Sequence, residues 1–291
     1  MPAYAISYGK AAIPVYRHDA APLVGVPAVP ESTFTGRANR LFACEVDVEV
    51  LGDNFLPAYT EGDNSLVVAT DSMKNFVLRE AGVWDGATLE SLLARLGRRL
   101  LASYPQMEGL RLAGRELRFD AVAASGVLHA RERGDRGVAA LELEREGDGT
   151  RVADQRSGRE GVELLKTTGS AFTSFVRDDY TTLPERRDRP LYIRLDVGWR
   201  YADPLDAEGV DSGRYVPSEQ VRDVCAAVFD GLVSESIQQL VHEMGVRLLD
   251  RFPPLAEVSL RALNLTRDPV GDGVFSDPFP AVGTIDLTLS R

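Results

Sequence analysis

Residues 63–75, DNSLVVATDSMKN, carry a short apolar run into the start of a helix at Thr70 and Asp71. Such a junction turns free backbone N–H groups and the positive end of the helix dipole toward whatever sits there. The chemistry it offers is the holding of an anion. The chain itself is acidic, with 33 basic against 44 acidic residues and a net charge of −11. An anionic ligand therefore needs local positive groups, and a nucleic-acid or anionic-membrane partner is not expected.

Other chemistries lack their residues. The chain has three histidines, His18, His129 and His242, scattered and without Cys or His at ligand spacing, so no His-rich metal site is expected. His242 precedes Glu243, but Val246 stands where the zinc-protease helix needs its second histidine. No glycine pattern matches a phosphate loop or a dinucleotide fingerprint, and no G-x-S-x-G surrounds a serine.

Three further fragments join the 63–75 segment: YGK at Tyr8–Lys10, RDDYTTLPE at Arg177–Glu185 followed by Asp188 and Arg189, and SIQ at Ser236–Gln238. In order and spacing the four resemble the cofactor-independent urate oxidases, or uricases, over a stretch that reaches from near the N-terminus to Asn264. The resemblance implies oxidation of urate by dioxygen and water to 5-hydroxyisourate and hydrogen peroxide, with no metal and no organic cofactor. A deprotonated purine is electron-rich enough to reduce dioxygen, so the protein need supply only a base, anion binding and a place for O₂.

The resemblance also implies roles. Lys10 is the base, because an amine whose charged form is disfavoured by partial burial or by a second cation accepts a proton near neutral pH. Thr70 relays the proton, against the plainer reading that it caps the helix, and the backbone N–H of Asp71 binds the purine. Phe172, in SAF at Ser170–Phe172, stacks on the ring. Arg189 and Gln238 grip its polar edges, the first with a planar fork of donors. The N–H of Ile237 adds a donor, and Asn264, in LNLT at Leu263–Thr266, holds dioxygen. Lys10 and Thr70 come from one subunit and the remainder from its neighbour, so a monomer is expected to be inactive.

One position departs from the family. Many uricases carry a histidine two residues after the asparagine, completing a Lys, Thr, His relay, whereas this chain has Thr266. A threonine hydroxyl hydrogen-bonds but does not take up a proton at neutral pH. An altered pH dependence or a lower rate is the expectation. The alternatives are a purine-binding paralogue that has lost turnover, or a related enzyme acting on a pterin-like heterocycle, most of which need a zinc-binding histidine cluster.

The elements that position these residues are legible as periodicities. Cys44, Val46, Val48 and Val50 alternate with Glu45, Asp47 and Glu49, a strand with one buried and one wet face. Leu191, Ile193, Leu195, Val197 and Trp199 repeat the pattern, as do Ile285, Leu287 and Leu289. Helical spacing of three and four marks Met73, Phe76 and Val77; Leu89, Leu92, Leu93, Leu96 and Leu100; Val221, Val224, Cys225, Val228 and Leu232; and Ile237, Leu240, Val241, Met244 and Leu248.

The order strand pair, helix pair, strand pair thus occurs twice, which predicts an α+β chain of two duplicated domains, 1–145 and 146–291, with antiparallel sheets and both helices of each on one sheet face. The charged stretch Arg145–Glu160 links them and reads as a turn or exposed connection, and Asp203–Arg214 as a surface loop before a helix begun by Pro217 and Ser218. Open sheet edges need cover. The family resemblance implies how: tandem tunnelling-fold (T-fold) domains whose sheets join across subunits into barrels, stacked as a homotetramer around a tunnel.

Cys44 and Cys225 are predicted to be buried free thiols rather than a disulfide. That fits a reducing compartment. No apolar run approaches the roughly 18 residues of a membrane span, and no signal-peptide pattern opens the chain. The ending Leu289, Ser290, Arg291 does not match the peroxisomal Ser, Lys, Leu address, so a cytoplasmic location is expected.

Overall fold

The computed structural model describes residues 4–265, 267, 269–276 and 281–291. Strands β1 (Ser7–His18) and β2 (Leu41–Leu51) lead through the short helix α1 (Leu56–Thr60) to α2 (Thr70–Gly82) and α3 (Leu89–Ser103). β3 (Gly109–Glu116), the small hairpin β4 (Phe119–Ala121) and β5 (His129–Arg131), and β6 (Arg136–Glu146) follow. The sequence of elements then repeats: β7 (Gly149–Lys166), β8 (Leu191–Tyr201), α4 (Ser218–Gly231), α5 (Ile237–Arg251), β9 (Leu255–Asn264), the hairpin β10 (Pro269–Gly271) and β11 (Val274–Phe275), and β12 (Gly283–Ser290).

The chain divides into two compact units. The first holds residues up to Pro27, Thr35–Ser157 and Asp203–Tyr215; the second holds Ala28–Phe34, Gly158–Ala202 and Val216–Arg291. In the first, β1, β2, β3 and β6 pair in that order, each antiparallel to its neighbour. In the second, β8, β9 and β12 pair in the same antiparallel sense. The fold is α+β with antiparallel sheets.

In the first unit the apolar face of β2, Cys44, Val46, Val48 and Val50, joins Leu110 and Leu112 of β3 and Leu141 and Leu143 of β6 in one core with Met73 and Val77 of α2 and Leu92, Leu96 and Leu100 of α3. Both helices therefore cover one sheet face. Leu92, Leu96 and Leu100 are wholly buried, and truncating any one to alanine costs about 2–5 kcal/mol. The opposite face carries charge: Arg111 bridges Glu49 and Glu142 at 2.7 and 3.0 Å, and Arg115 holds Asp47 at 2.8 Å.

Two sequence expectations need correction. Arg145–Glu160 is not a connection: only Gly147 and Asp148 separate β6 from the 18-residue β7. The alternation is hidden because the inward positions of β7 are polar and paired. Gln155 donates to Ser157 at 3.0 Å, Ser157 donates to Glu90 at 2.7 Å, and buried Arg159 donates to Ser218 at 3.0 Å. Nor is Asp203–Arg214 merely a surface loop. It forms a 3-10 turn, Pro204–Glu208, in which buried Asp206 receives a two-pronged contact from Arg214 at 2.7 and 2.8 Å.

The two cysteines are free and buried, and burial pushes both thiols up to about 12. Among the described residues no helix is long and apolar enough to cross a membrane.

Candidate active site

In the first unit, β1 pins α2 at both ends. The N–H of Val68, two residues ahead of Thr70, donates to the Tyr8 hydroxyl at 3.1 Å, and the Tyr8 ring meets Phe55 edge-on at 5.2 Å. At the far end Arg17 donates to the carbonyls of Ala81 and Gly82 at 2.6 and 2.5 Å, a cation on the negative end of the helix. Lys10, two residues on from Tyr8, is thereby brought to the Thr70 end. Burial pushes the Tyr8 phenol up, and the Val68 contact pulls it partly back.

A β-bulge sets the direction of Lys10. The β1–β2 register runs Lys10 opposite Val48 and then Ile13 opposite Val46, with one extra residue between. Ala12 there takes a left-handed φ of 54°, and its N–H donates to Asp47 at 2.7 Å. Directly opposed residues in an antiparallel pair share a face, so Lys10 lies on the face of Val48, where α2 also packs. Gly9 is required at this point. A Cβ on it would stand 1.9 Å from the Val48 carbonyl oxygen.

Thr70 is the first helical residue and not the cap. The capping position is Ala69, which has no side chain to give. The Thr70 hydroxyl is thus not spent on the helix, and the N–H groups of Thr70, Asp71 and Ser72 fall outside any helical bond. The Asp71 carboxylate turns along the helix to Lys74 at 2.6 Å and Asn75 at 3.0 Å. Those contacts, Lys74 foremost and Lys10 last, hold its acid below the usual range. With the carboxylate engaged along the helix, the backbone N–H of Asp71 is left without an intrahelical partner at the helix end. Lys10 itself is exposed: β1 is an edge strand, and the chain alone does not supply the partial burial expected of it.

In the second unit a run of backbone bonds gathers the other residues. Ala171 N–H donates to Ser234 at 2.7 Å and Arg189 N–H to Ser170 at 2.9 Å, while Phe172 and Arg186 exchange N–H and carbonyl at 2.7 and 3.0 Å. Asp188 fixes the neck of this loop by accepting from the Thr168 hydroxyl and the Gly169 N–H, both at 2.7 Å. Ser234 leads into α5, whose cap is Ser236: its hydroxyl accepts from Gln239 at 3.1 Å. That leaves the N–H groups of Ile237 and Gln238 at the helix end. The Ile237 side chain is buried and Gln238 is exposed.

Phe172 is half-buried, with the Arg189 guanidinium 5.6 Å from its ring centroid. Arg189 is half-buried too, and its Nε is shut away with no hydrogen-bond partner among the described residues. Burial, with Arg186 nearby, lowers its guanidinium below the usual range. This is a desolvated cation with donors to give, which favours an anion. Asn264 ends β9, opposite Ile193 of β8 and Gly283 of β12. It continues the buried row Val258, Leu260, Ala262, and it lies at the end of the β8–β9 pair where β8 begins, two residues after Arg189.

Lys10, Thr70 and Asp71 are therefore gathered in the first unit, and Phe172, Arg189, Ile237, Gln238 and Asn264 in the second. Thr266 lies outside the described residues. Tyr8, Ser170, Ser234 and Ser236, which hold these groups in place, were not singled out from the sequence, although the YGK and SIQ fragments contain two of them. A cavity of about 360 Å³ at the β4–β5 hairpin, lined by Arg118, Arg131 and Arg136 among others, contains none of the site residues. Among the described residues no cluster of three His, Cys, Asp or Glu side chains could hold a metal ion.

Comparison with known proteins bears on the family of the chain. The sequence profile of the Uricase family matches residues 155–271. The chain is 48% identical over 283 residues to a uricase of Haloferax volcanii, covering 94% of this chain and 92% of that one. It is 39% identical to a bifunctional uric acid degradation protein of Bacillus subtilis, covering 98% of this chain and 61% of that one. A crystal structure of urate oxidase from Bacillus sp. TB-90 superposes with a TM-score of 0.95 at 38% identity, covering 98% of this chain and 100% of that one. A uricase structure from Bacillus fastidious gives 0.96 at 41% identity, covering 98% and 93%. With this degree of identity along nearly its whole length, the chain belongs to the uricase family.

Proposed function

We propose that the protein is a urate oxidase, converting urate, dioxygen and water to 5-hydroxyisourate and hydrogen peroxide in purine catabolism, with neither metal nor organic cofactor. The observation that carries the residue assignments is the split set. A lysine turned onto the face of an uncapped helix end, in the first unit, is the proton-handling half. A half-buried, unpaired arginine beside a phenylalanine and a second helix end, in the second unit, is the half that grips a flat anion.

Lys10 takes a proton from urate through Thr70, whose hydroxyl is left free by the alanine cap. The Asp71 N–H donates to the purine edge. Phe172 stacks on the ring, Arg189 and Gln238 hold its polar edges, and the Ile237 N–H adds a fourth donor. Asn264 holds dioxygen, which takes two electrons from the urate dianion and leaves as hydrogen peroxide, and then holds the water that adds to the oxidised ring. Thr266 takes the place of the family histidine as a hydroxyl partner in the relay.

The two halves of the chain, 1–145 and 146–291, are read as tandem T-fold domains whose sheets complete barrels with other copies in a cytoplasmic homotetramer around a tunnel. Active sites then lie at subunit interfaces, Lys10 and Thr70 from one subunit facing the second set from its neighbour. This arrangement supplies the burial that Lys10 lacks in the single chain. The test is urate absorbance in metal-free buffer with peroxide measured in parallel, wild type beside Lys10→Ala. Urate loss with matching peroxide, slowed about 10²-fold or more in the variant, is expected. A folded oligomer that consumes no urate overturns the assignment.

A further inference from the structure

The loop that presents Phe172 contains a second aromatic residue with no assigned part. Phe175 stacks on Phe172 with ring centroids 4.9 Å apart and planes 11° from parallel, the offset geometry that aromatic pairs favour. The Arg177 guanidinium lies 5.6 Å over the Phe175 ring, as that of Arg189 does over Phe172. One ring–ring contact and two guanidinium–ring contacts form a single cluster.

The backbone between the rings is strained to make it. Only Thr173 and Ser174 separate the two rings, and an extended chain would send residues three apart to opposite sides. Ser174 takes a left-handed φ of 60°, a conformation that crowds a Cβ against the following carbonyl oxygen. Its N–H donates to Glu185 at 3.0 Å, and Arg177 donates to the Leu183 carbonyl at 3.4 Å. Strain of this kind persists only where the surroundings over-determine it, and it gathers at functional sites.

We propose that Phe175 is a positioning residue for the flat substrate: it backs the Phe172 ring and fixes its plane relative to the Arg189 guanidinium, 5.6 Å from the Phe172 centroid. This rests on the reading of Phe172 as the ring that stacks on the purine. The backbone bridge to Arg186 holds Phe172 in place but leaves its ring free to turn. Phe175 removes that freedom before the ligand arrives, so less ordering remains to be done on binding.

The test uses the full oligomer with Phe175→Leu, Phe175→Tyr, Phe172→Leu and the double leucine variant. KM and kcat are read aerobically and urate binding without oxygen. Phe175→Leu is expected to raise KM and weaken anaerobic binding about two- to tenfold, the worth of an aromatic pair, with kcat unchanged. Phe175→Tyr, which keeps the ring, restores both. The double variant binds no worse than Phe172→Leu alone, because Phe175 acts through Phe172. Should Phe175→Leu lose its fold, Phe175→Met carries the same comparison. Wild-type activity with an unchanged KM in the folded variant, or losses that multiply in the double variant, overturns this inference alone. A folded wild type that neither binds nor consumes urate overturns the functional reading and this one with it.

Discussion

Glu90, in the first turn of α3, is a buried acid outside the proposed chemistry, and replacing it with glutamine should make the protein more stable in mild alkali. Its carboxyl accepts from the Ser157 hydroxyl at 2.7 Å and the Tyr215 hydroxyl at 3.2 Å. Burial pushes the acid from 4.5 up to about 7; the Ser157 contact and Arg37 oppose that rise and Glu116 adds to it. Glu116 is itself held by Arg37 at 2.5 Å and by the Gly137 N–H at 3.1 Å.

With the folded value above the unfolded one, the stability contributed by neutral Glu90 is complete below about 4.5 and is lost as pH rises through about 7. At 1.36 kcal/mol per pK unit, the wild type forfeits about 2–3 kcal/mol between about pH 5 and about pH 8 on this account. Glutamine mimics the neutral acid and does not titrate. Urea unfolding at the two pH values should therefore show Glu90→Gln gaining on the wild type by about that amount at the higher pH. A stability difference that is the same at both refutes the reasoning.

Two further substitutions separate roles at the first half-site. Gly9→Ala forces a methyl into the Val48 carbonyl, 1.9 Å from the ideal Cβ. A thermal melt should register a loss of about 1–3 kcal/mol or more, together with reduced turnover as Lys10 shifts. Thr70→Val, which removes the hydroxyl, should lower kcat about 10²-fold or more. Asp71→Ala should leave it within about threefold, because that carboxylate serves Lys74 and Asn75 while the N–H is unchanged. Steady-state urate oxidation on the two variants checks the contrast, and equal losses would sink it.

What the sequence disclosed follows the strength of its physical signals. The α2 start at Thr70 was legible because an apolar run meets a threonine and an aspartate, and the faces of β2, β8 and α3 because one side of each is almost wholly apolar. β7 was illegible for the opposite reason: Gln155, Ser157 and Arg159 occupy its inward positions, and the partners of the last two, Glu90 and Ser218, lie on distant segments. Ser174 gave no warning of its left-handed φ, which only glycine or asparagine advertises. Glu90 stood in plain view beside Leu89 at the head of an apolar helix face, yet a single glutamate there reads as a favourable first-turn charge until its burial is known.

The bulge in β1 bears on how a residue's direction is counted. Ile13 and Val15 face the core at odd positions, and strict alternation would send the even positions, Tyr8 and Lys10 among them, to the far side. Ironed flat in the same register from Ile13, the strand would set Lys10 against Glu49, on the side that carries Glu45 and Asp47. There a lysine makes an ordinary surface ion pair worth less than about 1 kcal/mol. The one supernumerary residue, locked by Asp47 through Ala12, reverses the parity for everything before it. The proposed base owes its address to an offset in counting, and a reader of the bare alternation would have filed it on the wrong side of the sheet.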